Sequence, residues 1–333
     1  MVQKKHEDNE FIAAWNELGS PEAVAKALGM NVRTVYARRK RLEKQGINLK
    51  TTNLSGNTIY FNKQEVMGKI EARLSQTRAN ARRGLVMERG TVFVFSDAHF
   101  YPKDYTTAFR ALVHFIKELK PEVIVCNGDA FDGAGISRHA RIGWDTKPTV
   151  IQELEAVQDH LGQIEEASTF KSNLIWTMGN HDARFETYLA SVAPQYQDIK
   201  MFSLKDHFPL WKPCWSFWIN DDTVIKHRWK GGRYAGSNNT TFAGTSIVTG
   251  HTHQLKVEPF TDYTGTRYGV QTGCLADPHG EQFLDYTEDN PKDWRSGFAI
   301  LNFHNGKLLM PELVQVWDEE KGEVEFRGRI YQV

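Results

Sequence analysis

The chain has 333 residues, 40% apolar and 25% charged, and its 41 basic side chains balance 41 acidic ones. That length holds more than one domain, or one large domain with an appendage, and the composition is that of an ordinary globular protein. No apolar run is long enough to span a bilayer, Met1 to Asp8 lacks the apolar core of a signal peptide, and Cys126, Cys214 and Cys274 form no Cys-x-x-Cys pair. A membrane span, a disulfide framework and a thiolate zinc site are therefore set aside, and a cytoplasmic location is expected.

The zero net charge hides an asymmetry. Residues 1 to 90 carry 17 basic and 9 acidic side chains, whereas residues 91 to 333 carry 24 and 32. A basic front and an acidic body point to two modules, the first drawn to polyanions.

A first helix is expected around Glu10 to Leu18, with Phe11, Ile12, Trp15 and Leu18 facing inward. Ser20 is an N-cap with Pro21 behind it, Ala23, Val24, Ala27 and Leu28 form an apolar stripe, and Gly29 stops that second helix. Asn31 caps a third helix over Val32 to Gln45, on which Val35, Leu42 and Tyr36 pack. Two short helices joined by a glycine turn fit a helix-turn-helix, and the segment resembles small domains of that type in regulators and phage proteins. In this reading Arg33, Arg38, Arg39 and Arg41 contact DNA or RNA phosphates; the alternative is a solvated basic helix. Residues 1–47 thus form a small all-α domain. Residues 48–90 follow as a basic linker and helix: Asn-, Thr- and Gly-rich at first, with a short strand at Thr58 to Phe61, then helical from Lys63 to Arg83.

The body, residues 91–333, repeats one pattern. Val92 to Ser96 is an apolar run of strand length that ends in Asp97-Ala98-His99. A helix from Thr106 to Leu119 follows, and Val123 to Cys126 delivers Asn127-Gly128-Asp129-Ala130-Phe131-Asp132. After an irregular stretch holding Arg138, His139 and Arg141, a helix with Val150, Leu154, Val157, Leu161 and Ile164 leads to the strand Leu174 to Thr177. That strand ends in Met178-Gly179-Asn180-His181-Asp182. Val224 to Lys226 delivers His227, and Ser246 to Thr249 delivers Gly250-His251-Thr252-His253. Ligands gather beyond the carboxyl ends of strands in open α/β sheets, and mixed carboxylate, imidazole and amide donors suit Mn first, with Fe or Zn as alternatives, over an all-oxygen Ca site.

Asp97-x-His99, Gly128-Asp129-x-x-Asp132, Gly179-Asn180-His181-Asp182, His227 and Gly250-His251-x-His253, in that order, resemble the signature of the calcineurin-like metallophosphoesterases over residues 91 to 275. The resemblance implies an α/β fold, a two-sheet sandwich flanked by helices. It also implies two divalent metal ions. Asp97, His99 and His253 hold one, Asn180, His227 and His251 hold the other, and Asp129 bridges them, so that a shared water attacks phosphorus in line. His181 is the implied catalytic histidine, with Asp132 and Asp182 orienting ligand or catalytic histidines. Phosphoprotein phosphatases of this superfamily place Arg-Gly and Glu where this chain has Asp132-Gly133 and Asp182, which favours the phosphodiesterase and nuclease branch.

Arg184, close behind His181, and the loop Trp229-Lys230-Gly231-Gly232-Arg233 read either as a phosphate clamp with a stacking aromatic or as ordinary surface. Trp211, Trp215, Phe217 and Trp218 read as core. Gly297 to Phe303 and Lys307 to Met310 flank the hairpin signal Asn305-Gly306 and are expected to complete a second sheet. The acidic stretch Asp318 to Glu325 reads as a solvated face. The leading function is a metal-dependent phosphoesterase, a phosphodiesterase or nuclease acting on nucleic acid. The alternatives are a phosphatase of a small ester or nucleotide, and a DNA-binding regulator whose phosphoesterase fold is inactive.

Overall fold

A computed structural model describes residues 7–49, 51–52, 58–59, 81–102, 104–138, 147–169, 171–197, 199–280, 283, 287 and 290–333. The chain divides into two compact units, residues 1–77 and 78–333.

The first unit holds helices α1 (Asp8–Leu18), α2 (Pro21–Leu28) and α3 (Val32–Lys44) and a two-stranded ribbon of β1 (Thr51–Thr52) and β2 (Thr58–Ile59). The caps are those the sequence offers: Ser20 Oγ accepts from Ala23 N at 3.1 Å, and Asn31 Oδ1 accepts from Arg33 N at 2.9 Å. Gly19 and Gly29 end the first two helices in the left-handed region. Phe11, Trp15, Val24, Val35 and Leu42 form a separate small core. Tyr36, expected to pack, is half exposed instead: it follows Val35, and one residue along a helix turns about 100° away from the buried stripe.

The second unit is a sandwich of two sheets. The nine-stranded sheet runs β17 (Arg329–Gln332), β16 (Glu323–Phe326), β15 (Glu312–Asp318), β13 (Gly297–His304), β4 (Arg89–Phe95), β5 (Val123–Cys126), β6 (Asn173–Thr177), β7 (Lys212–Cys214), with β14 (Lys307–Leu308) paired to β13. The six-stranded sheet runs β11 (Leu255–Asp262), β12 (Gly265–Thr272), β10 (Ser246–Thr249), β9 (Thr223–Ile225), β8 (Ser216–Ile219), β3 (Arg82–Leu85). Strands β4 to β7 are parallel, as are β9, β10 and β12.

Both faces of the central strands are covered, which explains their unbroken apolar runs. Along β4, Val92 and Val94 turn into the core between the sheets, against Phe217, Ile225, Val248 and Val270. Phe93 and Phe95 turn the other way, into a second core with helices α4 (Thr107–Leu119) and α5 (Val150–Ala167). Thr106 caps α4 from its hydroxyl, and Thr149 with Gln152 forms a capping box on α5. Among the described residues the unit has two shorter α-helices as well, α6 (Arg184–Val192) and α7 (Ala235–Ala243), the latter against β10, β11 and β12.

Four expectations are corrected. The C-terminal strands do not build the second sheet: β13 pairs antiparallel with β4 and extends the first. Residues 82–85 are strand β3, in parallel register with β8, where a basic helix through Arg83 was expected; the rest of that expected helix lies outside the described residues. Asp318 to Glu325 is more than a solvated face, because Val324 is buried and Glu319 Oε1 accepts from Thr107 N at the first turn of α4. Of the aromatic cluster, Trp211 and Phe217 are buried, but Trp215 is exposed. The hairpin signal holds: Asn305 and Gly306 both have positive φ between β13 and β14.

Candidate metal centre

Each expected ligand follows the carboxyl end of β4, β5, β6, β9 or β10, so one edge of the sandwich collects them all. The turns are strained there. Asp97, His99, Asp129, His251 and His253 all have φ between 40° and 68°, a region costly to residues other than glycine and characteristic of functional sites. Packing between the turns enforces it: Asp97 N donates to the Gly128 carbonyl at 2.9 Å and His99 N to that of Asp129 at 2.9 Å. Two glycines give the carboxylates room. A Cβ at Gly179 would lie 2.0 Å from Asp129 Oδ1, and one at Gly250 would lie 2.6 Å from Asp97 Oδ2.

The side chains converge in overlapping groups. Asp97, His99 and His253 offer ligand atoms within 4.8 Å of one another; so do Asp129, His227 and His251, and His99, Asp129 and His181. Asp129 belongs to two of these sets. His227 Nδ1 donates to the Asn127 carbonyl at 2.8 Å and leaves Nε2 3.0 Å from Asp129 Oδ2. His99 Nδ1 faces Asp132 Oδ1 at 3.0 Å, leaving Nε2 for the centre. Among the described residues, His99 Nε2, His227 Nε2 and Asn180 Oδ1 are buried with no hydrogen-bond partner. Orphaned buried atoms on these particular donors fit divalent ions, because a metal satisfies them where no protein group does.

Asp132 and Asp182 play different parts. Asp132 Oδ1 accepts from His181 Nδ1 at 2.6 Å as well as facing His99, so one carboxylate orients two rings. Among the described residues Asp182 hydrogen-bonds to no histidine, contrary to expectation. Its carboxylate gathers the backbone N–H groups of Asp129, Ala130, Phe131 and Gly179 and the indole N–H of Trp176, all at 2.8 to 3.1 Å. It shapes the turn that carries Asp129.

The charges are tightly linked. Burial pushes the Asp129 carboxyl up, but His227, His181 and His99 around it hold it well below the usual range. Asp97 is held low against burial by His253 and His227, and Asp132 by its hydrogen bonds to His181 and His99. His227 is pushed up to about 9, its burial outweighed by Asp129. His181 is raised by Asp132 despite burial, while burial and the nearby His227 lower His251. Protons and metal ions compete for such a site.

Residues 90–255 match the sequence profile of calcineurin-like phosphoesterases. The chain belongs to that family. Two curated proteins resemble the phosphoesterase along most of their length. The Gene 54 protein of Mycobacterium phage L5 is 26% identical over 267 residues, 73% of this chain and 98% of that one. The Gene 54 protein of Mycobacterium phage D29 is 28% identical over 254 residues, 68% and 93% of the two chains. A solved structure described as a novel archaeal phosphodiesterase aligns with a TM-score of 0.35 at 14% identity, over 68% of this chain and 99% of its own.

Around the phosphoesterase centre, the expected substrate contacts divide. Arg184 is beside it: Nη2 lies 3.0 Å from His181 Nε2 and Nη1 donates to the Asp132 carbonyl at 2.8 Å. Arg233 lines a groove of about 720 Å3 together with His251, Gln254, Asp293 and Trp294. Lys230 is elsewhere, its Nζ 4.7 Å over the Phe242 ring, and Trp229 lies under Lys226. Arg138 is exposed; His139 and Arg141 lie outside the described residues.

Sequence reasoning missed Trp294, whose ring lies 4.3 Å from that of His253, and Phe283, 5.4 Å from His99. Neither follows an apolar strand run, the signal that found the ligands. It also missed Glu153 in the first turn of α5, whose carboxylate accepts from Gly133 N and Ala134 N. Burial and the charge of Asp132 raise its pKa to about 7.

In the first unit, three of the four arginines assigned to nucleic acid are engaged by carboxylates. Asp8 Oδ1 meets Arg38 at 2.7 Å and Arg41 at 2.5 Å, and Arg39 pairs with Glu43 at 2.7 Å while lying over Trp15. Arg33 is exposed at the first turn of α3.

Proposed function

We propose that this metal-dependent phosphoesterase is a phosphodiesterase or nuclease whose substrate is nucleic acid. The observation that carries the reading is the open groove beside His251. At about 720 Å3 it takes more than a lone phosphate, and it offers a guanidinium on Arg233, an amide on Gln254 and an aromatic wall on Trp294 next to His253. Cation and stacking plane together suit the phosphate and base of a nucleotide unit.

In this reading Asp97, His99 and His253 hold one divalent ion, Asn180, His227 and His251 the second, and Asp129 serves both; Mn is the first choice, ahead of Fe and Zn. Bound ions at such a centre activate water and neutralise phosphoryl oxygens. The remaining residues prepare the substrate. Asp132 fixes the ring of His181 through Nδ1 and favours its protonated form, so that Nε2 can give a proton to the leaving-group oxygen once Arg184 turns from it to the phosphoryl group. Arg184 sits where its guanidinium can take a phosphoryl oxygen. Asp182 keeps the Asp129 turn in place throughout. Buried Cys126, Cys214 and Cys274 have thiols raised by burial and take no part as nucleophiles.

The test compares hydrolysis of an aryl phosphodiester, an aryl phosphomonoester, single- and double-stranded DNA, and RNA with Mn added. Diester and DNA cleavage that exceed monoester hydrolysis support the proposal. Monoester hydrolysis with intact DNA and RNA would replace it with a small-ester phosphatase.

A further inference from the structure

The six-stranded sheet carries a second feature on the face turned away from the sandwich core. Alternation along β8 sends Phe217 and Ile219 inward and Trp218 outward. Trp218 is registered opposite Gly84, so Arg82, two residues before it on β3, shares that outer face. The Arg82 guanidinium lies 4.6 Å over the Trp218 ring. Lys226, just past β9, lies 5.7 Å from the Trp229 ring, and Lys230 4.7 Å from Phe242 on α7. Arg82, Trp218, Lys226, Trp229 and Phe242 line one cavity of about 210 Å3.

Three properties distinguish this cavity from ordinary surface. Among the described residues no carboxylate lines it, although the body as a whole is acidic. Phe242 is 66% and Trp229 45% exposed, which leaves aromatic planes open to solvent. Trp218 Nε1 is buried without a hydrogen-bond partner among the described residues. None of the lining side chains is among those assigned to the metal ions or to the Trp294 groove.

We propose that this cavity binds single-stranded nucleic acid, as a site separate from the catalytic centre. The interleaving of rings and cations matches the alternation of bases and phosphates along an unpaired strand. A base stacks on Trp229 or Phe242, while Arg82 and Lys230 turn from the rings to the flanking phosphates. A duplex hides its base faces and cannot stack this way, and an acidic peptide would use the cations alone. The cavity is smaller than a drug-sized pocket, so it takes one planar group at a time.

The inference rests on the nucleic-acid reading above, and binding measured in EDTA separates the two, since it reads the cavity whether or not the chain hydrolyses the strand. A labelled oligothymidylate is titrated with the full-length chain and followed by anisotropy, with the thermal midpoint of each variant as the check on folding. Phe242→Ala weakens binding roughly 5- to 100-fold, the range for loss of one stacked base, and Phe242→Trp restores it. Arg82→Gln weakens it by a factor that shrinks as salt rises. Wild-type affinity in Phe242→Ala would overturn the proposal. So would a loss confined to Arg82→Gln.

Discussion

Asp132 is the residue on which the chemistry of the centre turns, because a single carboxylate oxygen accepts from both His99 and His181. Asparagine keeps an acceptor oxygen but loses the negative charge that strengthens both hydrogen bonds, so it holds the two rings less firmly. Asp132→Asn should lower kcat for an aryl phosphodiester by roughly 10- to 100-fold, while the fold, read by thermal midpoint, changes little. Wild-type kcat in that variant would remove Asp132 from the account. Gly250 tests the space around Asp97. Alanine there would press its Cβ to within 2.6 Å of Asp97 Oδ2 and 2.5 Å of Ser96 Oγ, both buried. Gly250→Ala is expected to weaken Mn binding at least 10-fold in a calorimetric titration, an effect on the scale of a disturbed outer shell; unchanged affinity would show that the turn has slack.

At the scale of elements, the sequence was legible wherever period and punctuation agreed. The runs Val92 to Ser96, Val123 to Cys126 and Leu174 to Thr177 are the parallel strands β4, β5 and β6, and Ser20, Asn31 and Thr106 are the caps of their helices. The ligand-bearing turns were legible for the same reason, since each follows such a run. Strand β3 was not: Arg82-Arg83-Gly84-Leu85 has no apolar alternation and is a strand because it pairs with β8. The sheet to which β13 belongs was equally hidden, because pairing with β4 joins residues about 200 apart, beyond any local pattern. Trp294 and Phe283 reach the centre from loops, where no periodicity marks a residue. The hairpin signal allows a direct check. Gly306 sits at φ +71°, and a Cβ added to it would meet only Glu88 Oε2, 3.6 Å away, so alanine there brings strain and no clash. Gly306→Ala should lose about 1 kcal/mol of stability in urea unfolding, with kcat unchanged. A neutral result would mean the turn relaxes to a different type.

For the molecule as a whole, two modules of opposite charge make separable predictions. Arg33 and Lys40 are exposed cations of α3 that, among the described residues, no carboxylate engages. If α3 meets phosphates through them, Arg33→Ala combined with Lys40→Ala should reduce the slope of log K against log salt by about 1 to 2 for duplex DNA and leave aryl diester hydrolysis as it was. An unchanged slope would assign those cations to solvent. Stability carries its own signature through Glu153. Its pKa in the folded chain is about 7, against 4.5 for the free group, so between those values the folded state binds more protons than the unfolded state. The contribution is therefore complete below pH 4.5 and lost as pH rises through about 7. Urea midpoints at pH 5 and 7.5 should fall with pH more steeply in the wild type than in Glu153→Gln, and parallel profiles would contradict the assignment. The central claim is that Asp97, His99, Asp129, Asn180, His227, His251 and His253 form one centre for two ions that share Asp129. It is tested most directly by counting Mn retained per chain after dialysis. The account predicts about two in the wild type and about one in either His251→Ala or His253→Ala; a single ion in the wild type, or two in both variants, would contradict it.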